Sequence, residues 1–132
     1  MPTNIKNLHL TISTMIIVVI SLTYGMVPAT TLPLLFDFKV ESTDLKQVFR
    51  ATMGLYIGMS ALWLTGIARP LFWRTATISN IFFMMGLAGG RLISLFIDGF
   101  HSKIFLAGLA LEATLAFWGL KNLNKYQAIR DQ

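Results

Sequence analysis

The residues with the clearest chemical potential are charged side chains inside long apolar stretches. Arg91 and Glu112 each stand among apolar residues, and Arg50 lies near the start of another such stretch. A buried arginine keeps its charge and binds carboxylate or phosphate groups, whereas a carboxylate can pair with it or carry a proton. Because a charge inside a membrane is costly without a partner, this set predicts ion pairs, an anion site or a proton site.

One segment places most of the polar candidates on a single predicted helix. The sequence GLAGGRLISLFIDG, from Gly86 to Gly99, carries Arg91 and Asp98 among mostly apolar residues. Counted at helical spacing, its polar face continues toward the N-terminus. The polar residues of this face are Asn80, Arg91, Ser94 and Asp98. The segment therefore predicts a spanning helix with one partly charged strip.

The depth of each charge along its predicted helix indicates which charges can form a pair. Arg91 lies seven residues before Asp98, and Glu112 lies nine residues after Lys103. At a rise of ~1.5 Å per residue, Arg91 and Glu112 are roughly 10 and 13 Å below the same membrane surface, so they can pair. Arg50, near the start of its own helix, is at the level of Asp98 and can reach it. The charges should therefore lie in the outer half of a small bundle.

Three interpretations of these charges remain open. The pairs can simply fix the register of the helices, since buried ion pairs are sometimes kept for specificity with little net stability. Alternatively, Arg91 or Arg50 binds an anionic headgroup or a carboxylate in an outward-facing polar pocket. In a third interpretation, Glu112 carries protons in a small transporter. Three uncharged side chains would add hydrogen bonds in the pocket: Tyr56, Asn80 and Ser94.

Glycines at helical spacing form a second pattern. Small residues repeated every four positions allow the backbones of two membrane helices to approach closely. The predicted helix-packing residues are Gly54, Gly58, Gly86, Gly90 and Gly108. These faces support an alternative function, that of a structural or accessory subunit which packs against a larger membrane complex or against further copies of itself.

The composition indicates that lipid is the solvent. Of 132 residues, 55% are hydrophobic and 13% are charged, with a mean hydropathy of +0.64. A soluble domain normally carries roughly a quarter charged residues. The net charge of +5 comes from small basic clusters at helix ends, where cytoplasmic positive charge is expected. We therefore predict an integral membrane protein with the bilayer as its main partner and no nucleic-acid partner.

The residue types also limit the chemistry. The chain has no cysteine and two isolated histidines, so we predict no disulfide, metal site or cofactor. No nucleophile–base pair and no phosphate-binding loop are visible in the sequence, which makes an enzyme the least expected class.

Four apolar runs predict an all-α fold, a four-transmembrane-helix antiparallel bundle in a single domain, 1–132. The predicted helices cover about 8–27, 48–68, 76–97 and 104–120, followed by a polar basic tail at 121–132. Between Pro28 and Phe36 the prolines predict an irregular segment at the interface or folded back on the bundle. A cleaved signal peptide is the alternative for the first run, although no A-x-A site follows it.

The distribution of lysine and arginine predicts that both termini are cytoplasmic. With this orientation, the inner side holds Lys6, Arg69, Arg74, Lys121, Lys125 and Arg130, and the outer loops hold Lys39, Lys46 and Lys103. Polar aromatic side chains near helix ends are typical of the membrane interface. We therefore expect interfacial positions for His9, His101, Trp73 and Trp118.

Four short motifs recur together at set spacing: RATMGLYIG from Arg50 to Gly58, WLTG from Trp63 to Gly66, GLAGGRLISLFIDG, and Glu112 within GLALEA. In these motifs the chain resembles the domain-of-unknown-function 4345 family, a group of small four-helix bacterial membrane proteins. The resemblance extends from the second to the fourth predicted helix, and the first helix matches in hydrophobic character only. The family often has a proline after the DG turn, where this chain has His101 and Ser102. The resemblance implies the fold and a membrane location. It implies no activity, because none is established for the family.

Together, these features predict a multi-pass protein of the bacterial inner membrane. The leading prediction is a non-enzymatic protein that binds or moves a small amphipathic or anionic molecule in a polar pocket in the outer half of the bundle. The alternative is the accessory subunit, with buried ion pairs that fix register.

Overall fold

The computed structural model describes residues 2–100 and 102–130, and all regular elements in this part are helices. The predicted all-α class is therefore confirmed. The elements are α1 (Pro2–Gly25), α2 (Pro28–Leu35), α3 (Thr43–Ala68), a 3₁₀ turn (Pro70–Phe72), α4 (Trp73–Asp98) and α5 (Lys103–Arg130). The predictions for His101 and for the last two tail residues lie outside the described residues.

Four of the helices, α1, α3, α4 and α5, are long and apolar enough to cross a membrane. Consecutive spans run antiparallel. At the α1–α3 contact, Gly25 meets Met53 at one end, and the Asn7 amide donates to the Ile67 carbonyl at the other. The chain is thus an antiparallel helical bundle whose apolar surface indicates a lipid bilayer environment and a multi-pass membrane protein.

The spanning helices extend beyond the predicted apolar segments. α3 begins at Thr43 because the Ser42 side chain caps it, accepting a hydrogen bond of 3.1 Å from the Leu45 amide. α5 continues to Arg130 with no separate tail helix. Its last ten residues contain neither proline nor glycine, and a helix needs no apolar side chains to continue into water.

The segment after Pro28 is helical, although an irregular chain was predicted. Pro28 is the first residue of α2, where its missing N–H group costs no hydrogen bond. The Thr31 hydroxyl donates to the Thr23 carbonyl at 2.6 Å, and Leu32 is fully buried. α2 therefore folds back on the bundle and covers the end of α1.

Large apolar side chains fill the centre of the bundle. Leu10, Ile17, Trp63 and Met84 are each at most 1% exposed. The Trp63 indole N–H donates to the Ser79 hydroxyl at 3.2 Å, so this aromatic residue is both buried and hydrogen-bonded. The contact fixes α3 against the first half of α4.

His9 belongs to this core and is 1% exposed, while its predicted position at the level of the membrane interface stays a prediction. Its Nε2 donates to the Leu115 carbonyl at 2.9 Å, and its ring contacts Trp118 edge-on at 5.5 Å. A Cβ atom at Gly119 would lie 3.0 Å from His9 Cε1 and 2.8 Å from Ile81 Cγ1. The histidine is therefore buried because α5 offers both a carbonyl acceptor and a residue without a side chain.

Candidate functional site

The centre of the candidate site is an ion pair between α4 and α5. Arg91 Nε donates to Glu112 Oε2 at 2.8 Å, and Arg91 Nη2 donates to Oε1 at 2.9 Å. The side chains are 19% and 5% exposed. A Cβ atom at Gly108 would lie 3.4 Å from Arg91 Cζ, so this glycine leaves room for the guanidinium. The predicted buried ion pair is confirmed, with two-point geometry that favours arginine over lysine.

Arg91 also lines a cavity of about 400 Å³, here called the main cavity. Helices α1, α3, α4 and α5 all contribute to it, and its wall combines hydroxyl groups, one guanidinium and apolar surface. The lining residues are Tyr24, Tyr56, Gly86, Leu87, Gly90, Arg91, Ser94 and Phe105. Two predicted hydrogen-bonding residues, Tyr56 and Ser94, are thus brought to the same cavity as Arg91.

A smaller cavity of about 160 Å³, the side cavity, lies on the α2 side of the ion pair. Both cavities share Tyr24, Arg91 and Phe105 in their walls, and Glu112 lines the smaller one. The Arg91 guanidinium lies 5.3 Å from the Phe105 ring centroid, a distance at which a cation and an aromatic face attract each other. The ion pair and this ring together form the partition between the two spaces.

A family model described as "Domain of unknown function (DUF4345)" matches residues 5–121. The chain belongs to the DUF4345 family. The match includes the ion pair and every residue that lines the main cavity. No curated protein and no solved structure matches the chain. Because the family description names no activity, the function of this DUF4345 protein has to be argued from its site.

Arg50 and Asp98 do not form the predicted pair. Within residues 2–100 and 102–130, the structure shows no ion pair between them, and Arg50 is exposed. Asp98 instead accepts a hydrogen bond of 2.6 Å from the Ser94 hydroxyl. The ring of Tyr56 still packs against Phe83 of α4, but the main cavity lies between α3 and the second half of α4. α3 begins at Thr43, five residues before the predicted start, so Arg50 lies farther from the outer end of its helix than the prediction assumed.

Asn80 lies in the core and does not line the main cavity. It is fully buried, and neither its amide nitrogen nor its amide oxygen has a hydrogen-bond partner among the described residues. Asn80 lies on the same face of α4 as Arg91, as predicted. This face is buried at Asn80, and its residues line the main cavity only from Leu87 onward. The DUF4345 site thus uses only the second half of the polar strip.

The predicted helix-packing glycines differ in their surroundings. A Cβ atom at Gly54, Gly58, Gly86 or Gly90 would meet no other atom within 4 Å. Two of the four, Gly86 and Gly90, form part of the wall of the main cavity. No helix in the described part of the chain therefore packs closely against these four glycines, and contact with a second protein stays a prediction.

Sequence reasoning missed two residues of the site. Tyr24 lies near the end of the first apolar run, and Phe105 follows the short loop before α5. A tyrosine inside a spanning segment is a usable signal because its hydroxyl needs a polar neighbour there. Phe105 gives no such signal, since a phenylalanine is ordinary in a membrane helix.

Proposed function

We propose that this protein binds or moves a small amphipathic or anionic molecule in the main cavity, as a multi-pass protein of the bacterial inner membrane. One observation carries the proposal: a cavity of about 400 Å³ has a guanidinium in an otherwise largely apolar wall. Cavities of roughly 300–1,000 Å³ with a few placed polar groups are the usual form of small-molecule sites.

The donors of the site support a ligand with a polar head. Glu112 uses only part of the N–H donor set of Arg91, so the guanidinium can bind a further acceptor from the cavity. The hydroxyl group of Tyr56 can donate to the same head, whereas the Ser94 hydroxyl would first have to release its hydrogen bond to Asp98. Leu87 and the two glycines form apolar wall that suits an apolar chain. A carboxylate or phosphate ester with an acyl chain has this chemistry.

Proton carriage by Glu112 has less support. Both of its carboxylate oxygens accept hydrogen bonds from Arg91. Protonation of Glu112 would therefore require loss or rearrangement of at least one of these bonds.

A thermal-shift screen in detergent tests the proposed ligand class. Fatty acids, which lack the phosphate group, at ~100 times Kd should stabilise the wild-type protein by about 2.7 kcal/mol, seen as a rise in Tm of several degrees. Arg91→Lys should reduce this rise, because an ammonium group cannot make the planar two-point contacts of a guanidinium. Gly90→Leu should abolish it, because the added side chain occupies the cavity.

Gly58→Leu is the matched control, since this glycine also has open space around it but does not line the cavity. It should respond to ligand as the wild type does. The proposal fails if no fatty acid raises the Tm of the wild type, or if Gly90→Leu responds as fully as Gly58→Leu.

The proposed orientation places the main cavity in the outer half of the membrane. A reporter fused after Gln132 should then be cytoplasmic, and one inserted near Asp44 should be external, because the lysine and arginine bias sets the topology. Activities of paired reporters that function on opposite sides of the membrane measure both sites. The reverse pattern at both sites would place the cavity in the inner half.

Assembly into a homo-oligomer or a larger complex is the second candidate function. It is supported by the open face of α3, where a Cβ atom at Gly54 or Gly58 would meet no atom of the described residues within 4 Å. Close packing of small residues drives helix association in membranes. If this face is an interface, Gly58→Leu should reduce the size of the assembly measured by light scattering in detergent, whereas Gly90→Leu should leave it unchanged.

A further inference from the structure

A third cavity, the basal cavity, lies at the opposite end of the bundle from the main cavity and has a volume of about 260 Å³. It is formed where α1 begins, where the 3₁₀ turn leads into α4, and where α5 approaches its end. Lys6 and Arg74 line it, and among the described residues that line it none is acidic. Nothing in the proposed function of the main cavity uses this site.

Two aromatic side chains contact the ammonium group of Lys6 in the basal cavity. Lys6 Nζ lies 4.1 Å from the Trp73 ring centroid and 5.9 Å from that of Tyr126. The two rings contact each other edge-on at 6.0 Å. The site is therefore a built arrangement with an ordered ammonium group.

Trp73 provides a second, independent observation. The sequence predicted an interfacial anchor, but the residue is 5% exposed, and its indole N–H has no hydrogen-bond acceptor in the described part of the chain. A buried indole N–H normally has an acceptor.

We propose that the basal cavity binds the phosphate group of an anionic phospholipid. Lys6 and Arg74 supply the positive charge, the Trp73 indole supplies a neutral donor, and phosphate oxygens are acceptors for all of them. The site lies where the apolar spans end, since the candidate spans begin at Ile5 and Pro70 and the last one ends at Ala128. This is the level of lipid headgroups, which favours a lipid over a soluble phosphate.

Native mass spectrometry of the full-length protein with added lipid tests the proposal. Phosphatidylglycerol should bind the wild type more tightly than phosphatidylcholine. The double variant Lys6→Gln, Arg74→Gln should weaken phosphatidylglycerol binding by on the order of tenfold. The matched control, Arg69→Gln with Lys121→Gln, removes two charges near the same end but none from the cavity lining, and it should bind nearly as the wild type does.

Two further variants separate the possible explanations. Trp73→Phe keeps the aromatic ring but removes the indole N–H, and it should weaken phosphatidylglycerol binding while phosphatidylcholine binding is unchanged. Arg91→Lys, in the main cavity, should leave this site intact, so that failure of one proposal can be told from failure of the other. All variants are compared by circular dichroism, and Trp73→Phe keeps the test valid if the double variant does not fold.

Three outcomes would overturn the proposal. Equal loss in the control pair would mean that diffuse surface charge attracts the lipid. Equal binding of phosphatidylglycerol and phosphatidylcholine by the wild type would exclude a phosphate site selective for anionic lipid. If glycerol 3-phosphate alone displaces the lipid at equal concentration, the ligand is a soluble phosphate and the lipid assignment is wrong.

Discussion

Glu112→Gln should lower the free energy of unfolding by about 3–5 kcal/mol if Arg91 stays inside the bundle. The substitution keeps the shape of the side chain but leaves the guanidinium without a counter-charge at a position where only 19% of its side chain is exposed. The loss can be measured by equilibrium unfolding in mixed detergent micelles. Glu41→Gln is the control, because that carboxylate is exposed in a loop, and it should change stability by less than ~0.5 kcal/mol.

The double variant Arg91→Met, Glu112→Leu should recover much of this loss, because it removes both charges and replaces them with apolar side chains. With Arg91→Met and Glu112→Leu measured separately as the single variants, the coupling energy from the double-mutant cycle should then be ~2 kcal/mol or more. If the effects of the single substitutions add, the two side chains are not coupled and the ion pair does not contribute to stability.

The sequence was sufficient to predict this ion pair because depth could be calculated from the helical rise. The same calculation failed for Arg50 and Asp98, which do not pair, because α3 begins at Thr43 and Arg50 therefore lies deeper along its helix than the predicted start implied. Depth depends only on the position of a residue along its helix. Contact also depends on how far apart the two helices are at that depth, and the sequence does not contain that separation directly.

Helix ends were predicted less well than helix centres. The apolar runs located all four spans, but α2 was missed because its two prolines were taken as breaks in the chain. A proline in the first turn of a helix lacks only an N–H that would have had no partner there. Pro33 lies inside α2, so this short helix depends on its contacts with the bundle, such as the buried Leu32.

The repeated glycines in the sequence indicated helix faces that another helix could approach closely, but they did not indicate where the helices of this chain make their closest contacts. The close contacts of the described chain occur at isolated glycines instead: Gly25 against Met53, Gly66 against Ala76, and Gly119 against Ile81 and His9. A single glycine at a helix crossing has no repeat that a sequence pattern could detect. The glycines that do repeat line the main cavity or face outward.

Gly66→Ala should destabilise the protein by about 1–3 kcal/mol, because the site has no space for a methyl group. A Cβ atom there would overlap the Ala76 side chain and lie 3.3 Å from the Phe72 carbonyl oxygen. Phe72 belongs to the 3₁₀ turn and Ala76 to the start of α4. The substitution would therefore force α3 and α4 apart where they are joined. Equilibrium unfolding in mixed micelles measures the change.

Gly58→Ala is the matched control for this prediction, since it makes the same chemical change on the same helix. A Cβ atom at Gly58 would meet nothing within 4 Å, so the substitution should leave stability unchanged or raise it by up to ~1 kcal/mol through better helix propensity. Equal destabilisation by both substitutions would contradict the close α3–α4 contact. If Gly58→Ala alone destabilised the protein, the outer face of α3 would have to pack against a second protein, and the accessory-subunit function would then be the better explanation.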